Sequence, residues 1–548
     1  MLENFQVTIG NLVIKGPFTI PSGIVTTTPS VISRLARDVP ALGFLTTKTI
    51  SIEPRAGYRE PIIHEYYPGC FINAVGLANP GAHAFLGSME ALRPLHENKP
   101  LVISIMGSSP EEFLKCAKIL DPIADAFEIN LSCPHVKGAG QSVGSDPELV
   151  KTIVGLLKHN VNKPVIPKLS PNISNFEEIT VLCEREGADG LTLINTVGPG
   201  TALDMEGCPV LSNVNGGISG GAIKPLGLKL VREAAGLIKI PIIACGGISE
   251  PTDILAYKSA GASLFGIGSS MAFLETSRIP GFFEWLATGL DGRTNKELLQ
   301  NDPPVGRRTD YKTARVVSNN PVSENMFELS LGVDIPCDPG QFFFLRIPYV
   351  GEKPFSPMSS QPLTFLVRAV GPFTNALQQL IQGSKVQLRG PYGRGFPKPR
   401  ADAKLIMVGG GTGAGPIIMA AKKFANCSPK VFLGFSSDVE ISPIQQRGLW
   451  PENALISIDS RGNPGKVIQD LSEKIFQRRE DFCDSTVFVC GPKPMMQSVF
   501  VLLKEFTPAK NIYQAREDIM KCGIGICGSC GTPSGLRSCV DGPVINGG

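Results

Sequence analysis

The chain of 548 residues has no surplus of charge of either sign: 52 Lys and Arg face 49 Asp and Glu, for a net charge of +3. That balance excludes the basic stripe of a nucleic-acid binder and the polybasic cluster of a peripheral membrane anchor. No run approaches 18 consecutive apolar residues, so no transmembrane helix is expected. The first ten residues lack the basic and then apolar regions of a secretory signal peptide. The expectation is a soluble, cytoplasmic protein whose partners are small molecules, with neither nucleic acid nor membrane among them.

Glycine and proline are abundant instead, 60 and 46 residues, together roughly 19% of the chain against about 12% in average proteins. With 42% hydrophobic residues the chain folds, so these residues belong in ordered turns where the backbone bends sharply or approaches a ligand. The 14 cysteines are unevenly spread: Cys522, Cys527, Cys530 and Cys539 crowd the last 30 residues and the others are scattered. In a reducing compartment scattered thiols fill cores, whereas clustered thiols are ligands.

Short apolar or β-branched runs at 18–23, 43–48, 101–107, 126–132, 165–170, 190–196, 242–247 and 264–269 alternate with amphipathic stretches such as 147–159 and 225–238. Eight strands with intervening helices in under 300 residues predict a (β/α)8 TIM barrel over 1–300, with a doubly wound open sheet as the rival. Lys48, Asn130, Lys168, Asn195, Thr196, Gly246, Gly247, Gly268 and Ser269 then fall at or just past strand C-terminal ends, the catalytic face of such a barrel. A polar linker with Pro303 and Pro304 is expected near 291–312. Short alternating strands with Gly/Pro turns predict a small antiparallel β-barrel over 301–400. A second α/β pattern over 401–510 has strands at 405–408, 431–435, 455–459 and 487–490, and 511–548 carries the cysteine cluster.

Cys522-x4-Cys527-x2-Cys530, with Cys539 nine residues on, is the plant-type ferredoxin spacing for a 2Fe–2S cluster. Soft thiolates hold such clusters, and Gly523, Gly525, Gly528 and Gly531 would let backbone N–H groups approach the sulfides. A structural zinc knuckle or unligated cysteines are the alternatives, although a zinc ribbon usually shows paired C-x2-C motifs and one is present here. GGGTGAG at 409–415, including Gly409, Gly411 and Gly413, follows a strand and precedes a helix. It is either a tight turn or a site where a pyrophosphate meets a helix N-terminus.

With Cys490-Gly-Pro and the cluster, 313–548 resembles the electron-transfer subunit of NAD-linked (class 1B) dihydroorotate dehydrogenases, a ferredoxin reductase-like module. That resemblance implies FAD held by Lys353, Pro354, Phe355 and Ser356 and by Gly371 and Thr374, with NAD at the Gly-rich turn. Lys353 and Phe355 stand where Arg and Tyr are common in that fold, and Lys lacks the bidentate grip of Arg. Asp438, after the 431–435 strand, would accept from a ribose 2′-hydroxyl and repel a 2′-phosphate, favouring NAD over NADP.

NAVGLANP at 73–80, NLSCP at 130–134, KLSPN at 168–172, Lys48, and Asn195 with Thr196 resemble the catalytic subunit of class 1 dihydroorotate dehydrogenases over residues 1–290. The resemblance implies that Lys48, Asn73, Gly76, Leu77, Asn130, His135, Asn195 and Thr196 contact the dihydropyrimidine. Each asparagine alone could be a turn or cap, but a carboxamide both donates and accepts, as the ring's alternating groups require. It implies FMN at Ser22, Gly23, Lys48, Asn130, Lys168, Ile194, Gly217, Gly220, Gly246, Gly247, Gly268 and Ser269. Cys133 would be the base that removes the proton from carbon 5 while the flavin takes the hydride from carbon 6. His135 replaces the usual Asn and also occurs in dihydropyrimidine dehydrogenases acting on uracil and thymine, so that substrate class stays open. A third reading is an electron-delivery module whose barrel has lost catalysis. Barrels of separate-subunit relatives pair, which implies a homodimer here.

Overall fold

The computed structural model describes residues 5–90, 99–132, 143–292, 309–400, 404–441, 451, 454–459 and 465–547. By internal contacts the chain divides into two units: Met1–Thr309 with Ile524–Arg537, and Asp310–Gly523 with Ser538–Gly548.

In the first unit the strands Phe18–Thr19, Leu45–Thr46, Leu101–Ile105, Ala126–Asn130, Val165–Leu169, Leu191–Leu193, Ile242–Cys245 and Leu264–Gly266 form one eight-stranded sheet. Each pairs in parallel with its successor from the second onward, and the last returns to the first through Phe265 and Phe18. A bridge between Phe18 and Leu42 brings the first two strands together, so the expected barrel is formed. Every strand ends earlier than its apolar run suggests, and in most runs residues past the strand end, among them Ser22, Lys48, Met106, Ser132, Asn195 and Gly268, line a cavity. Helix starts are written into the sequence: Pro110 and Pro147 occupy first-turn positions, where a missing N–H costs nothing, behind the capping side chains of Ser109 and Asp146.

Alternate strand residues face opposite ways. Ile103, Ile105, Phe127, Ile129, Val165 and Leu169 pack outward with helix residues such as Phe113, Val154 and Leu157 in the main core. Val102, Ala126, Ile166, Ile243 and Leu264 face the lumen, in a separate cluster with Phe44, Ile9 and Ile14. The hairpin of Val7–Ile9 and Leu12–Ile14 contributes those last two, so the N-terminal part of the lumen is apolar. One step toward the C-terminal ends the same face carries Ser104, Glu128, Lys168 and Thr192, all buried. A four-stranded antiparallel sheet of Val197–Thr201, Asn215–Gly220, Cys70–Asn73 and Ile63–Tyr67 was not expected.

In the second unit Lys312–Ser323, Met326–Leu331, Phe342–Ile347, Gly351–Phe355, Ser359–Ser360, Leu363–Arg368 and Lys385–Tyr392 form a seven-stranded antiparallel sheet. Alternating residues, among them Val316, Leu329, Phe343, Leu345, Phe365 and Leu388, close its core. A six-stranded sheet follows, with Ala454–Ile458, Lys430–Phe435, Leu405–Gly410, Thr486–Cys490 and Ile512–Ala515 parallel and Val544–Asn546 antiparallel. Residues 293–308, the body of the expected linker, lie outside the described residues.

The first of these sheets encloses a charge pair. Arg389 grips both oxygens of Glu352, at 2.6 and 3.0 Å, and neither side chain is exposed. Tyr311 donates to the same carboxylate at 2.6 Å, and the guanidinium lies 4.0 Å from the centre of the Phe344 ring. Burial and the Glu352 charge push the Tyr311 hydroxyl well above its usual range, so it stays a donor. Glu352→Gln leaves Arg389 buried without its counter-charge; denaturation followed by fluorescence should show this unit destabilised by about 3–5 kcal/mol, and a loss below about 1 kcal/mol would contradict the pairing's importance.

Candidate active site and cluster-binding loop

At the C-terminal ends of the barrel strands lies a cavity of about 1020 Å³. Of the residues expected to contact substrate, Lys48, Asn73, Gly76, Leu77, Asn130, Asn195 and Thr196 line it. Cys133 and His135 lie outside the described residues.

The asparagines are held by a chain of hydrogen bonds. Asn130 donates to the Thr49 hydroxyl at 3.2 Å, and Thr49 contacts Ser104 at 2.9 Å. Ser132 donates to the Asn130 carbonyl at 2.6 Å, and Asn195 donates to the Ser132 hydroxyl. The Asn195 side-chain oxygen in turn accepts from the Thr196 backbone N–H at 2.8 Å. These bonds fix which end of each carboxamide is donor and which acceptor, as ring recognition needs. Asn73 is held differently, donating to the Gly217 carbonyl at 3.2 Å across the antiparallel sheet.

Ser22, Gly23, Lys168, Ile194, Gly220, Gly246, Gly247, Gly268 and Ser269 also line the cavity. Gly217 does not: its register partner is Asn73, and a Cβ there would strike Thr196. It pairs with Asn73 across the antiparallel sheet and accepts that side chain's hydrogen bond. The remaining glycines fit a phosphate-bearing cofactor. Gly247 has φ +70° and approaches the Gly220 carbonyl so closely that a Cβ would stand 2.8 Å from it. A Cβ on Gly23 (φ +90°) would meet no protein atom within 4 Å, so the cavity is open at that point. Lys168 donates to Ser22 at 2.9 Å. Burial pushes the lumen thiol of Cys245 up to about 12, with Lys168 opposing, so it remains neutral.

Two further residues of the cavity wall come from the other end of the chain: Ile526 and Cys527. The Ile524–Arg537 stretch is bound into the barrel unit by main-chain bonds, Val25 N–H to Ile526 carbonyl at 2.6 Å and Phe273 N–H to Ile524 carbonyl at 2.8 Å. Thr27 donates to the Cys527 carbonyl at 2.8 Å. Arg537, fully buried, donates to the carbonyls of Gly525 and Leu274 at 2.7 and 2.5 Å and to Thr276 at 3.1 Å. Gly528 (φ +68°) lies against the Val25 carbonyl where a Cβ would collide.

Cys522, Cys527, Cys530 and Cys539 are each 1–3% exposed, and Gly523, Gly525 and Gly528 all have positive φ. Buried sulfurs in a loop that turns its backbone inward suit a cluster. Among the described residues no three His, Cys, Asp or Glu side chains converge on a single ion. The nine other described cysteines are unbridged, from buried Cys116 and Cys183, both pushed up to about 12 by burial, to exposed Cys483.

In the second unit Lys353 is exposed while Pro354, Phe355 and Ser356 are half-buried. Phe355 stacks on Phe373 at 24°. Thr374 accepts from the Gly371 and Val370 N–H groups at 3.1 and 2.9 Å, tightening that turn. Gly409 and Gly413 admit no Cβ because of Leu433 and the Cys490 carbonyl, whereas Gly411 (φ +54°) faces open space apart from Arg368. Asp438 opens an exposed turn. Glu440, two residues on and unforeseen, pairs with Arg368 at 3.0 Å.

Sequence reasoning missed Thr49, Ser132, Glu128 and Arg537. The first two adjoin flagged residues, and a lone acid inside the buried strand AFEIN was the available signal for the third.

The comparisons agree with this geometry. Residues 4–287 match the family model described as dihydroorotate dehydrogenase, and 517–548 that of the iron-sulfur cluster binding domain of dihydroorotate dehydrogenase B. Relatives named dihydroorotate dehydrogenase B (NAD(+)), catalytic subunit, include one from Pyrococcus abyssi, 42% identical over 267 residues, 48% of this chain and 87% of that one. Another, from Archaeoglobus fulgidus, is 41% identical over 276 residues (50% and 89%), and one from Methanothermobacter thermautotrophicus is 38% identical over 275 (50% and 89%). No helix among the described residues is long and apolar enough to cross a membrane. An asparagine-lined cavity at the mouth of a parallel barrel, walled in part by a cysteine-rich loop, is thus the setting in which this chain belongs to the dihydroorotate dehydrogenase family of oxidoreductases, with the iron–sulfur domain of the B type in the same polypeptide.

Proposed function

We propose that this chain oxidises dihydroorotate to orotate and delivers the two electrons to NAD⁺, combining in one polypeptide the catalytic and electron-transfer parts of the B-type enzyme. The observation that carries the reading is the cavity wall: Asn130, Asn195 and Lys168 share one cavity with Ile526 and Cys527 of the iron–sulfur segment. When bound, FMN would supply a two-electron acceptor for the hydride from carbon 6, a 2Fe–2S cluster held by Cys522, Cys527, Cys530 and Cys539 would supply one-electron transfer, and FAD would gather those electrons in pairs for hydride transfer to NAD⁺.

The chain's own residues orient substrate and move the proton. Asn73, Asn130 and Asn195 read the ring without adding charge that would repel its carboxylate. Cys133 takes the proton from carbon 5, and Lys168 offers positive charge where electron density accumulates. Lys48, buried and lining the cavity, would contact both ring and flavin. The glycines at 246, 247 and 268 leave room for a phosphate. Lys353, Phe355, Ser356 and Thr374 would hold FAD, and Asp438 the adenosine ribose of NAD. Buried unbridged thiols such as Cys116, Cys183 and Cys490 support a reducing, cytoplasmic location, and we assign a homodimer formed through the barrel.

The direct test is anaerobic flavin bleaching with dihydroorotate and with dihydrouracil, alongside extraction of the bound flavins. Dihydroorotate should bleach one flavin; bleaching by dihydrouracil alone would sink the assignment. Cys133→Ala should slow dihydroorotate-driven bleaching about 10²–10⁴-fold while NADH still reduces artificial acceptors, and equal loss of both activities would show the base misassigned. In the wild type that bleaching should quicken as pH rises toward about 8.5, the ordinary range of a thiol. Cys527→Ser should leave each flavin reducible by its own substrate yet abolish NAD⁺ reduction by dihydroorotate; survival of the coupled reaction would rule the cluster out of the route.

A further inference from the structure

Within the barrel lumen one charge pair has no role in the mechanism above. Glu128 and Lys168 stand on adjacent strands, one register step apart, since Asn130 pairs with Lys168 and Glu128 with Ile166. Their side chains are 4% and 5% exposed. The Glu128 Oε1 accepts no hydrogen bond and lies 3.9 Å from the Lys168 Nζ. Burying a carboxylate oxygen without a hydrogen bond is costly, and branched apolar residues usually fill a barrel lumen.

The arrangement is directional. Lys168 lines the cavity and Glu128 does not. The ammonium has three donors; among the described residues one goes to Ser22 and the carboxylate lies behind it. Anything in the cavity therefore meets an ammonium whose charge is partly offset from the lumen side.

We propose that Glu128 is a positioning residue which sets the reduction potential of the flavin through Lys168. This rests on the reading that the cavity holds a flavin. A two-electron-reduced flavin is anionic, and a bare ammonium beside it would stabilise that state and make it a poor donor. A carboxylate behind the ammonium weakens that hold, so electrons taken from the substrate pass onward. Glu128 touches neither substrate nor flavin; it acts by where it holds Lys168 and by how much of the lysine's charge it cancels.

The test is the midpoint potential of the barrel flavin in the full-length holoenzyme, by anaerobic equilibration with a reference dye. Glu128→Gln should shift the oxidised-to-reduced equilibrium at least tenfold toward the reduced flavin, about 30 mV upward for a two-electron couple. Glu128→Asp, which keeps the charge but draws it back, should shift the same way by less. A potential within twofold of wild type in that equilibrium, or lower than wild type, for either variant overturns the proposal. So does an Asp shift equal to or larger than that of Gln, which would point to packing. If Glu128→Gln fails to fold, the direction of the Asp shift decides alone. A wild-type protein that holds no flavin, or none that dihydroorotate bleaches, would instead sink the underlying functional reading.

Discussion

Successive side chains of a β-strand point to opposite sides, and in the eight barrel strands both sides are buried. Everything at the mouth of this barrel depends on that alternation. Outward residues lock the strands to their helices, which leaves the inward set free to change character along the strand. From Val102, Ala126 and Ile166 the lumen passes to Ser104, Glu128 and Lys168, and then to Asn130 at the rim. An apolar floor supports a polar layer, and the polar layer supports the groups that meet ligands. The cavity is thus continuous with the core.

The cluster-bearing loop uses a different device. Its hold on the barrel unit comes mostly from backbone carbonyls: Ile524, Ile526 and Cys527 accept from Phe273, Val25 and Thr27, and Thr532 and Ser534 accept from Ser30 and Arg34. Carbonyl bonds specify the path of the chain while making few demands on side chains. Glycine at 528 permits the close approach, and Arg537 fastens the far end of the stretch. Arg389 in the second unit makes the corresponding bond to the Cys522 carbonyl, at 3.0 Å.

Much of this was legible in the sequence for physical reasons. Short apolar runs ending in Lys, Asn or Gly carry two messages at once, a doubly buried strand and a polar mouth, so the barrel and most cavity residues could be read together. The antiparallel sheet over 197–220 and 63–73 could not, because segments such as NGGISG and VGPGT have little intrinsic preference for strands. The place of Gly217 opposite Asn73 was hidden for the same reason, since it appears only with the register. The Glu128–Lys168 pair depends on register too, since neither residue reveals its partner until adjacent strands are aligned. Residues 526 and 527 could not be assigned to the cavity from local pattern at all.

The bond between Thr27 and Cys527 joins positions 500 apart in the chain. The entropic cost of closing so long a loop grows only with the logarithm of its length, about 0.6 kcal/mol for each doubling. The relatives of the barrel are named as catalytic subunits. Here the loop and the cavity it walls are parts of one molecule, so their meeting is a unimolecular event. Its extent is the same at any dilution, and neither part can be made in excess of the other.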